Sequence, residues 1–215
     1  MTHPLAHRLS EMLGGDAGVG YAPLSGTEGL FPEETPAIAR AIPKRQAEFA
    51  AGRRAARAAL AELGHPATAI PVGERRAPLW PDGTIGAITH DRGAALAAVL
   101  PAAAALGIGI DLTEAAPLPG KTRTEILPFE TEQGFDDLTA RAGFSAKESL
   151  FKALFPSIRD YFGFSAARVT PDLETGLFQI ELTRPLGPFT AGETWQGRIA
   201  QHDQWLLTAL RLKSL

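Results

Sequence analysis

Two acidic side chains stand where they could do chemistry. Asp111 ends a short apolar run that begins at Gly107, and Glu148 lies in a later stretch with helical spacing. A carboxylate at the end of a buried strand costs desolvation free energy unless it is paired or binds a metal ion. Two carboxylates from separate elements suit a hard cation such as Mg²⁺, which takes one or two carboxylates, water and phosphate oxygens. The plainer interpretation of Asp111 is a cap on the following turn.

Two lysines flank Glu148 in a helical motif. Glu148 and Lys152 are four residues apart and share one face of the predicted helix, while Phe144 and Phe151 can anchor its apolar side. As an exposed ion pair, Glu148 and Lys152 would add only a few tenths of a kcal/mol to stability. The motif by itself therefore does not establish a site.

Basic residues concentrate in one stretch of an otherwise acidic chain. Between Arg40 and Arg76, eight basic residues outweigh three acidic ones and give a local charge of +5; because the whole chain is −3, the remainder carries −8. This asymmetry favours a compact polyanionic ligand over duplex DNA, with a solvated helix face as the simpler alternative. His90 follows a predicted strand, where its imidazole could donate to a phosphate. The eight basic residues are Arg40, Lys44, Arg45, Arg53, Arg54, Arg57, Arg75 and Arg76.

An α+β fold is predicted to position these residues, because a helix followed by strands occurs twice. Apolar spacing predicts helices over residues 34–63, where Pro43 can begin a separate helix, and over residues 144–155. The first 33 residues predict a loosely structured lead-in with a short helix near residues 5–13. Residues 120–141 predict a mobile polar excursion with some helix. The predicted strands cover residues 85–89, 95–100, 107–112, 178–182 and 205–212.

Two halves follow from this order of elements. It is typical of α+β proteins rather than of a doubly wound parallel sheet. We expect an N-terminal half over residues 1–105, with the basic residues, and a C-terminal half over residues 106–215, with both acidic candidates. No residue-level repeat is evident between the halves.

Composition excludes several classes of protein. A chain of 215 residues forms one large domain or two small ones. The absence of cysteine excludes a disulfide scaffold, a thiolate metal site and a cysteine nucleophile. The longest apolar run, residues 94–110, is shorter than the about 20 residues that a membrane span needs, and the N-terminus lacks the apolar core of a signal peptide. We therefore expect a cytoplasmic protein that does not bind membranes.

The motifs together resemble those of a known family. The resemblance is to the 4′-phosphopantetheinyl transferases of the surfactin and enterobactin synthetase type, and it covers roughly residues 36 to 165. The motifs are, in order, Lys44-Arg45-Gln46-Ala47-Glu48-Phe49 with Arg53 following, Pro78-Leu79-Trp80-Pro81-Asp82-Gly83, Ile88-Thr89-His90, Gly109-Ile110-Asp111, and Phe144-Ser145-Ala146-Lys147-Glu148-Ser149-Leu150-Phe151-Lys152-Ala153.

The resemblance implies an activity, a fold and partners. Members move the phosphopantetheine arm of coenzyme A onto a serine of an apo acyl or peptidyl carrier protein, and release adenosine 3′,5′-bisphosphate. Their two similar α+β halves are related by a pseudo-twofold axis, with coenzyme A in the cleft between them. The implied partners are coenzyme A, a carrier protein and Mg²⁺ or Mn²⁺, with no nucleic acid and no membrane. Because both halves are present, a monomer is expected to be active.

The resemblance also assigns roles to residues. Asp111 matches the metal aspartate of the family. Glu148 matches the second acidic ligand, which is also the general base toward the serine, and Lys152 matches the lysine beside the reacting phosphate. Lys147 is expected to support the phosphates of the coenzyme.

Further matches concern the coenzyme. Arg45 and Arg53 match basic positions that hold the 3′-phosphate, and Thr89 with His90 matches the pair near the coenzyme's phosphates. The loop from Gly73 to Pro78 corresponds to the one under the adenine. Some relatives carry a lysine at the position of Val72, and Arg75 or Arg76 could supply that charge.

One departure from the family bears on activity. Many members have a second acid two residues after the metal aspartate, where this chain has Thr113. Because Thr113 shares the strand face of Asp111 and Glu114 does not, we expect only two protein carboxylates on the metal. The departure keeps open a catalytically impaired homologue that binds coenzyme A or a nucleotide. A nucleic-acid-binding domain ranks last, since the chain is acidic and no aromatic residues alternate with the basic ones.

The segment from residue 112 to residue 144 contains apolar residues on a polar stretch. We expect it to form part of a carrier-protein docking surface, and a small satellite core is the equally weighted alternative. The apolar residues are Ile126, Leu127, Pro128 and Phe129.

Overall fold

A helix packed on an antiparallel sheet is the basic arrangement of this structure, and it occurs twice. The computed structural model describes residues 3–213. The chain divides between Ala105 and Leu106 into two units, each with its own core. Every strand pairing among the described residues is antiparallel, which confirms the α+β class. Within residues 3–213, no helix is both long enough and apolar enough to cross a membrane.

The first unit has a three-stranded sheet with the order β1-β3-β2. Helix α2 begins at Pro43, whose missing N–H suits the first turn, and its alanine-rich face packs on β1 and β3. The helix ends before Gly64, which has a φ of 78°. The elements are α1 (Pro4–Leu13), β1 (Gly18–Pro23), α2 (Pro43–Glu62), β2 (Thr84–Asp91) and β3 (Ala94–Pro101).

The N-terminal segment is more ordered than its sequence indicates. The predicted short helix is confirmed as α1, and it buries Leu5, Leu9 and Leu13. The expectation of a loose lead-in is wrong, because β1 adds an edge strand to the sheet beside β3. A strand with two glycines lacks the alternation that identifies strands in sequence.

The second unit has a five-stranded sheet with the order β4-β8-β7-β6-β5. Helix α5 packs on β4 and β8. It begins after Asp136, which accepts a hydrogen bond from the N–H of Thr139 at 2.7 Å. The elements are β4 (Gly107–Glu114), α3 (Gly120–Ile126), α4 (Glu130–Gln133), α5 (Asp137–Ile158), β5 (Ala167–Asp172), β6 (Leu177–Leu182), β7 (Thr194–His202) and β8 (Trp205–Leu212).

The segment between β4 and α5 supplies two of its apolar side chains to the core. Ile126 and Leu127 are buried in the hydrophobic cluster of the second unit, and Leu127 is 0% exposed. The docking role predicted for these two side chains is therefore wrong, because neither can contact a partner without leaving the core. Phe129 is partly exposed, and its ring contacts the charged groups of Lys147 and Arg168.

In both units, glycines in one strand allow a helix to pack closely on the sheet. At two glycines in one strand of each unit, an added Cβ would lie no more than 2.1 Å from a helix carbonyl oxygen. Only glycine allows that approach, so α2 lies close to β1, and α5 close to β4. These glycines are Gly18 and Gly20 in β1, and Gly107 and Gly109 in β4.

A buried glutamate is repeated as well. Glu34 accepts from the N–H of Phe31 at 2.9 Å, and Glu132 accepts from the N–H of Phe129 at 3.4 Å, three residues earlier in each case. Each carboxylate also pairs with a basic residue of the packed helix, Arg57 or Lys147. The two halves thus share a Phe-x-x-Glu pattern in which the glutamate is buried.

Candidate functional site

Asp111 lies in β4, and its side chain meets helix α5. It is 6% exposed. Its Oδ1 accepts a hydrogen bond from Lys152 Nζ at 2.8 Å, and its Oδ2 accepts one from Ser145 Oγ at 2.9 Å. Lys152 Nζ also donates to the carbonyl oxygen of Ile110 at 2.9 Å. Lys152 therefore pairs with Asp111 across the helix–strand contact.

Glu148 lies one helical turn before Lys152, in the same cluster. Burial raises the pKa of the Glu148 carboxyl above its ordinary value; the Lys152 ammonium partly lowers this pKa, and the Asp111 carboxylate raises it further. This mutual influence places the two carboxylates and the ammonium within one electrostatic neighbourhood. The structure brings together the three residues that the sequence named as catalytic.

The carboxylates fit a divalent cation in their chemistry. Glu148 holds a negative charge that burial disfavours, and a bound cation would relieve that cost. Within residues 3–213, no group of three or more histidine, cysteine or acidic residues is arranged to hold a metal. Asp111 and Glu148 offer two carboxylates, the donor type that suits Mg²⁺ when water and phosphate oxygens complete the shell.

Strand β4 continues regularly beyond Asp111. Thr113 pairs with Leu206, and Glu114 pairs with Trp205, with no extra residue between them. Because side chains alternate along a strand, Thr113 shares the face of Asp111 and Glu114 lies on the opposite face. The regular register thus contains no local bulge that would turn Glu114 toward Asp111.

An open pocket adjoins Glu148. Four of its nine lining residues are aromatic, and one of these, Tyr161, is 71% exposed. The sequence motifs did not predict this pocket, because most of its walls follow α5 in the chain. The lining residues are Lys147, Glu148, Leu150, Phe151, Tyr161, Phe162, Gly163, Phe164 and Ala167.

Lys147 has a structural role instead of the predicted contact with phosphate. It is 3% exposed, and its ammonium pairs with Glu132 at 2.8 Å. It also donates to the carbonyl oxygens of Ile126 at 2.9 Å and Phe164 at 3.3 Å. Burial lowers the pKa of Lys147, and the bond to Glu132 partly restores it. With three partners for three protons, this lysine has none left for the coenzyme.

Arg45 and His90 meet in the first unit. Arg45 donates from Nη1 to His90 Nε2 at 2.9 Å and to Glu48 at 3.3 Å. Because a guanidinium only donates, Nε2 accepts, and a neutral His90 carries its proton on Nδ1, 3.9 Å from Glu48. The neighbouring Thr89 is buried in β2.

Arg53 is a buried cation whose Nε lacks a hydrogen-bond partner. It is 5% exposed, and its guanidinium lies 4.2 Å from the centre of the Phe49 ring. Burial lowers its pKa to about 10; Glu34 raises this pKa, while Arg57 and Arg45 lower it. A buried charge with so few partners is costly unless an anion joins it. Arg53 therefore has the properties of an anion-binding residue.

Two other arginines of the basic stretch hold a loop in place. Arg54 donates to the carbonyl oxygens of Glu28, Pro23 and Ser25 at 2.8 to 3.0 Å. Arg57 pairs with the buried Glu34 at 2.6 Å. Arg54 and Arg57 therefore match neither the ligand site nor the solvated helix face that the sequence suggested. Their partners in the loop are distant in sequence, so local sequence patterns do not identify them.

Arg75 and Arg76 lie at the tip of a tight loop. Both are exposed and have positive φ angles of 52° and 68°. The N–H of Gly73 donates to the carbonyl oxygen of Ala77 at 2.8 Å and closes the loop. The structure thus places both guanidinium groups on an exposed turn within the first unit.

Comparison with known proteins gives one consistent result. Residues 33–100 match the model of the 4′-phosphopantetheinyl transferase N-terminal domain. The chain is 42% identical over 193 residues to 4′-phosphopantetheinyl transferase Svp of Streptomyces mobaraensis, covering 84% of this chain and 78% of that protein. It is 38% identical over 195 residues to 4′-phosphopantetheinyl transferase Npt of Nocardia iowensis, covering 83% and 87%. Enterobactin synthase component D of Salmonella typhi is 35% identical over 138 residues, covering 59% and 55%.

Proposed function

Because the chain belongs to the 4′-phosphopantetheinyl transferase family, we propose that it transfers the 4′-phosphopantetheine of coenzyme A to a serine of an apo carrier protein. The cluster of Asp111, Glu148 and Lys152 is the observation that carries this proposal. A serine oxygen forms a bond to the phosphorus that bears pantetheine. The bond from that phosphorus to the bridging oxygen breaks, and adenosine 3′,5′-bisphosphate leaves.

Three side chains of the second unit have separate roles in the transfer. Glu148 accepts the proton of the attacking hydroxyl as the general base. Lys152 stands beside the reacting phosphate and offsets its growing charge. Asp111 and Glu148 would hold Mg²⁺ or Mn²⁺, which when bound supplies positive charge to the phosphate oxygens.

Basic side chains of the first unit bind the coenzyme in this proposal. Arg45 and Arg53 hold the 3′-phosphate through charge-assisted hydrogen bonds, which the buried and under-bonded Arg53 is suited to form. Thr89 and His90 contact the coenzyme's phosphates, and Arg75 or Arg76 adds charge from its loop. One chain supplies all these residues, so we expect the monomer to be active.

A transfer assay tests the proposal. The protein is incubated with coenzyme A, Mg²⁺ and an apo carrier protein, and the carrier is weighed by mass spectrometry. A gain of one phosphopantetheine supports the proposal. Tight binding of coenzyme A without any gain would instead identify a catalytically impaired homologue.

Matched variants sharpen this assay. Asp111→Asn and Glu148→Gln should abolish transfer, because each removes a charge from the cluster. Glu114→Gln is the control, since it neutralises an acid three residues from Asp111 on the opposite strand face. Loss of transfer in Glu114→Gln equal to that in Asp111→Asn would contradict the assignment.

A further inference from the structure

Three buried hydroxyl groups connect α5 and β8 to the carboxylate of Asp111. Ser145 Oγ lies 2.9 Å from Asp111 Oδ2 and 2.9 Å from Thr208 Oγ1. Thr208 Oγ1 lies 2.7 Å from Ser149 Oγ. All three hydroxyl side chains are fully buried. They form a continuous path of hydrogen bonds that ends on Asp111.

The direction of these hydrogen bonds follows from the chemistry of their ends. An ionised carboxylate only accepts, so Ser145 gives its one proton to Asp111. Thr208 then directs its proton to Ser145, whose Oγ and carbonyl oxygen both lie 2.9 Å from Thr208 Oγ1. Ser149 in turn donates to Thr208, whose Oγ1 lies 2.7 Å and whose carbonyl oxygen lies 3.3 Å from Ser149 Oγ. The donors thus run in one order, from Ser149 through Thr208 and Ser145 to Asp111.

This series of hydrogen bonds restrains the Asp111 carboxylate more than a single hydrogen bond would. Successive hydrogen bonds polarise one another, and the effect is stronger in a buried, low-dielectric place. Lys152 holds the other carboxylate oxygen and is itself anchored on the carbonyl of Ile110. Both oxygens of Asp111 are therefore held by hydrogen bonds from α5.

On the premise of the proposed function, we propose that Ser149, Thr208 and Ser145 form a positioning network that orients the Asp111 carboxylate for cation binding. None of the three residues is proposed to contact the cation or a substrate, because each acts through Asp111. Partners of this kind typically change metal affinity by about 10- to 100-fold when they are removed. The three hydroxyl groups meet where α5 packs on β8, so their influence on Asp111 depends on that packing.

The test is the affinity of the full-length protein for Mn²⁺ in the presence of coenzyme A, measured by electron paramagnetic resonance of free Mn²⁺. Ser145→Ala should weaken Mn²⁺ binding about 10-fold. Thr208→Val keeps the side-chain shape and removes the hydroxyl that receives the proton of Ser149; it should weaken binding less. Ser149→Ala should have the smallest effect, because Ser149 is the member of the hydrogen-bond series farthest from Asp111.

A matched control separates positioning from general loss of stability. Thr84→Val removes another buried hydroxyl, which donates to the carbonyl of Pro81 at 2.6 Å in the first unit. It should lower the thermal midpoint but leave the Mn²⁺ affinity at the wild-type value. If Ser145→Ala does not fold, the near-isosteric Thr208→Val carries the test.

The outcomes distinguish this inference from the proposed function. If the wild type neither binds Mn²⁺ with coenzyme A nor modifies a carrier, both fail. If the wild type does both, while Ser145→Ala and Thr208→Val keep their Mn²⁺ affinity within about twofold, only the positioning network is refuted. A graded loss from Ser145 to Ser149, with Thr84→Val unaffected, supports it.

Discussion

Glu148 carries a charge that the fold disfavours. Burial is the main reason that its pKa lies above the ordinary value. The folded protein therefore binds the Glu148 proton more tightly than the unfolded chain does. As the pH rises from the ordinary pKa of a glutamate toward the raised pKa of Glu148, the unfolded chain releases the proton first. The folded state then loses stability relative to the unfolded chain. The residue most useful as a base is thus unfavourable for stability when ionised.

We predict that Glu148→Gln stabilises the protein at neutral pH while abolishing transfer. Glutamine removes the penalty of the buried charge, so without added cations its thermal midpoint should exceed that of the wild type at about pH 7.5. At about pH 4, where Glu148 is protonated in the folded state, the two midpoints should converge. Scanning calorimetry at both pH values measures this. Equal midpoints at neutral pH would contradict the prediction.

Arg53 and Arg54 are neighbours with different tasks. Arg54 is held by loop carbonyls, whereas Arg53 is buried with an unbonded Nε. We predict that Arg53→Ala weakens coenzyme A binding by about 10-fold or more, the value of a lost charged hydrogen bond, with little change in kcat. Arg54→Ala is the matched control, and it should act mainly on stability.

A substrate variant checks which phosphate Arg53 recognises. Dephospho-coenzyme A lacks the 3′-phosphate, so calorimetry should show weaker binding than coenzyme A for the wild type and a much smaller difference for Arg53→Ala. If Arg53→Ala weakens both ligands by the same factor, Arg53 does not recognise the 3′-phosphate.

The close contact of α5 with β4 places Glu148 beside Asp111. An added Cβ at Gly109 would lie 1.8 Å from the carbonyl oxygen of Ser149, which is backbone and cannot turn aside. The helix must therefore move away from the strand when this glycine is replaced.

We predict that Gly109→Ala destabilises the protein by roughly 1–3 kcal/mol or more and reduces transfer well beyond the loss of folded protein. The displaced helix carries Glu148 and Lys152 away from Asp111, and misplacement by about 1 Å can cost about 100-fold in rate. Gly134→Ala is the control, because nothing lies within 4 Å of its added Cβ. Denaturant unfolding and the transfer assay together measure both effects, and retained activity in folded Gly109→Ala would refute this account.

The turn that joins α3 to α4 is an element of the core. We predict that Leu127→Ala lowers the free energy of unfolding by about 2–5 kcal/mol, as expected for a fully buried leucine. The KM for the carrier should stay unchanged in the protein that remains folded. A raised KM with normal stability would restore the docking role that burial argues against.

The whole molecule combines a negative net charge with a basic stretch, and coenzyme A is a compact polyanion. The formal net charge is −3, but arginines 45, 53, 75 and 76 lie within the basic stretch of the first unit. We predict that the KM for coenzyme A rises several-fold between about 50 mM and about 500 mM NaCl, because salt screens exposed charges beyond a few ångströms. Steady-state kinetics measure this. A KM that is independent of salt would contradict it.

Most helices and strands around the site can be predicted from local sequence patterns. Regular spacing of apolar residues identifies α2, α5 and most strands, because those patterns are local. The order and spacing of the motifs also indicate the family, and the comparisons support that identification. These features depend on residues near one another in the chain.

The role of each polar residue depends on contacts that form when the chain folds. Lys147 and Glu148 are adjacent in sequence, yet one closes a buried ion pair with Glu132 and the other lies in the cluster with Asp111. Successive residues of a helix point about 100° apart, so their surroundings depend on what packs there. Ser145 meets Asp111 and Thr208 only because α5 covers β4 and β8. Such partners lie 34 and 63 residues away in the chain, and local patterns carry no information about them.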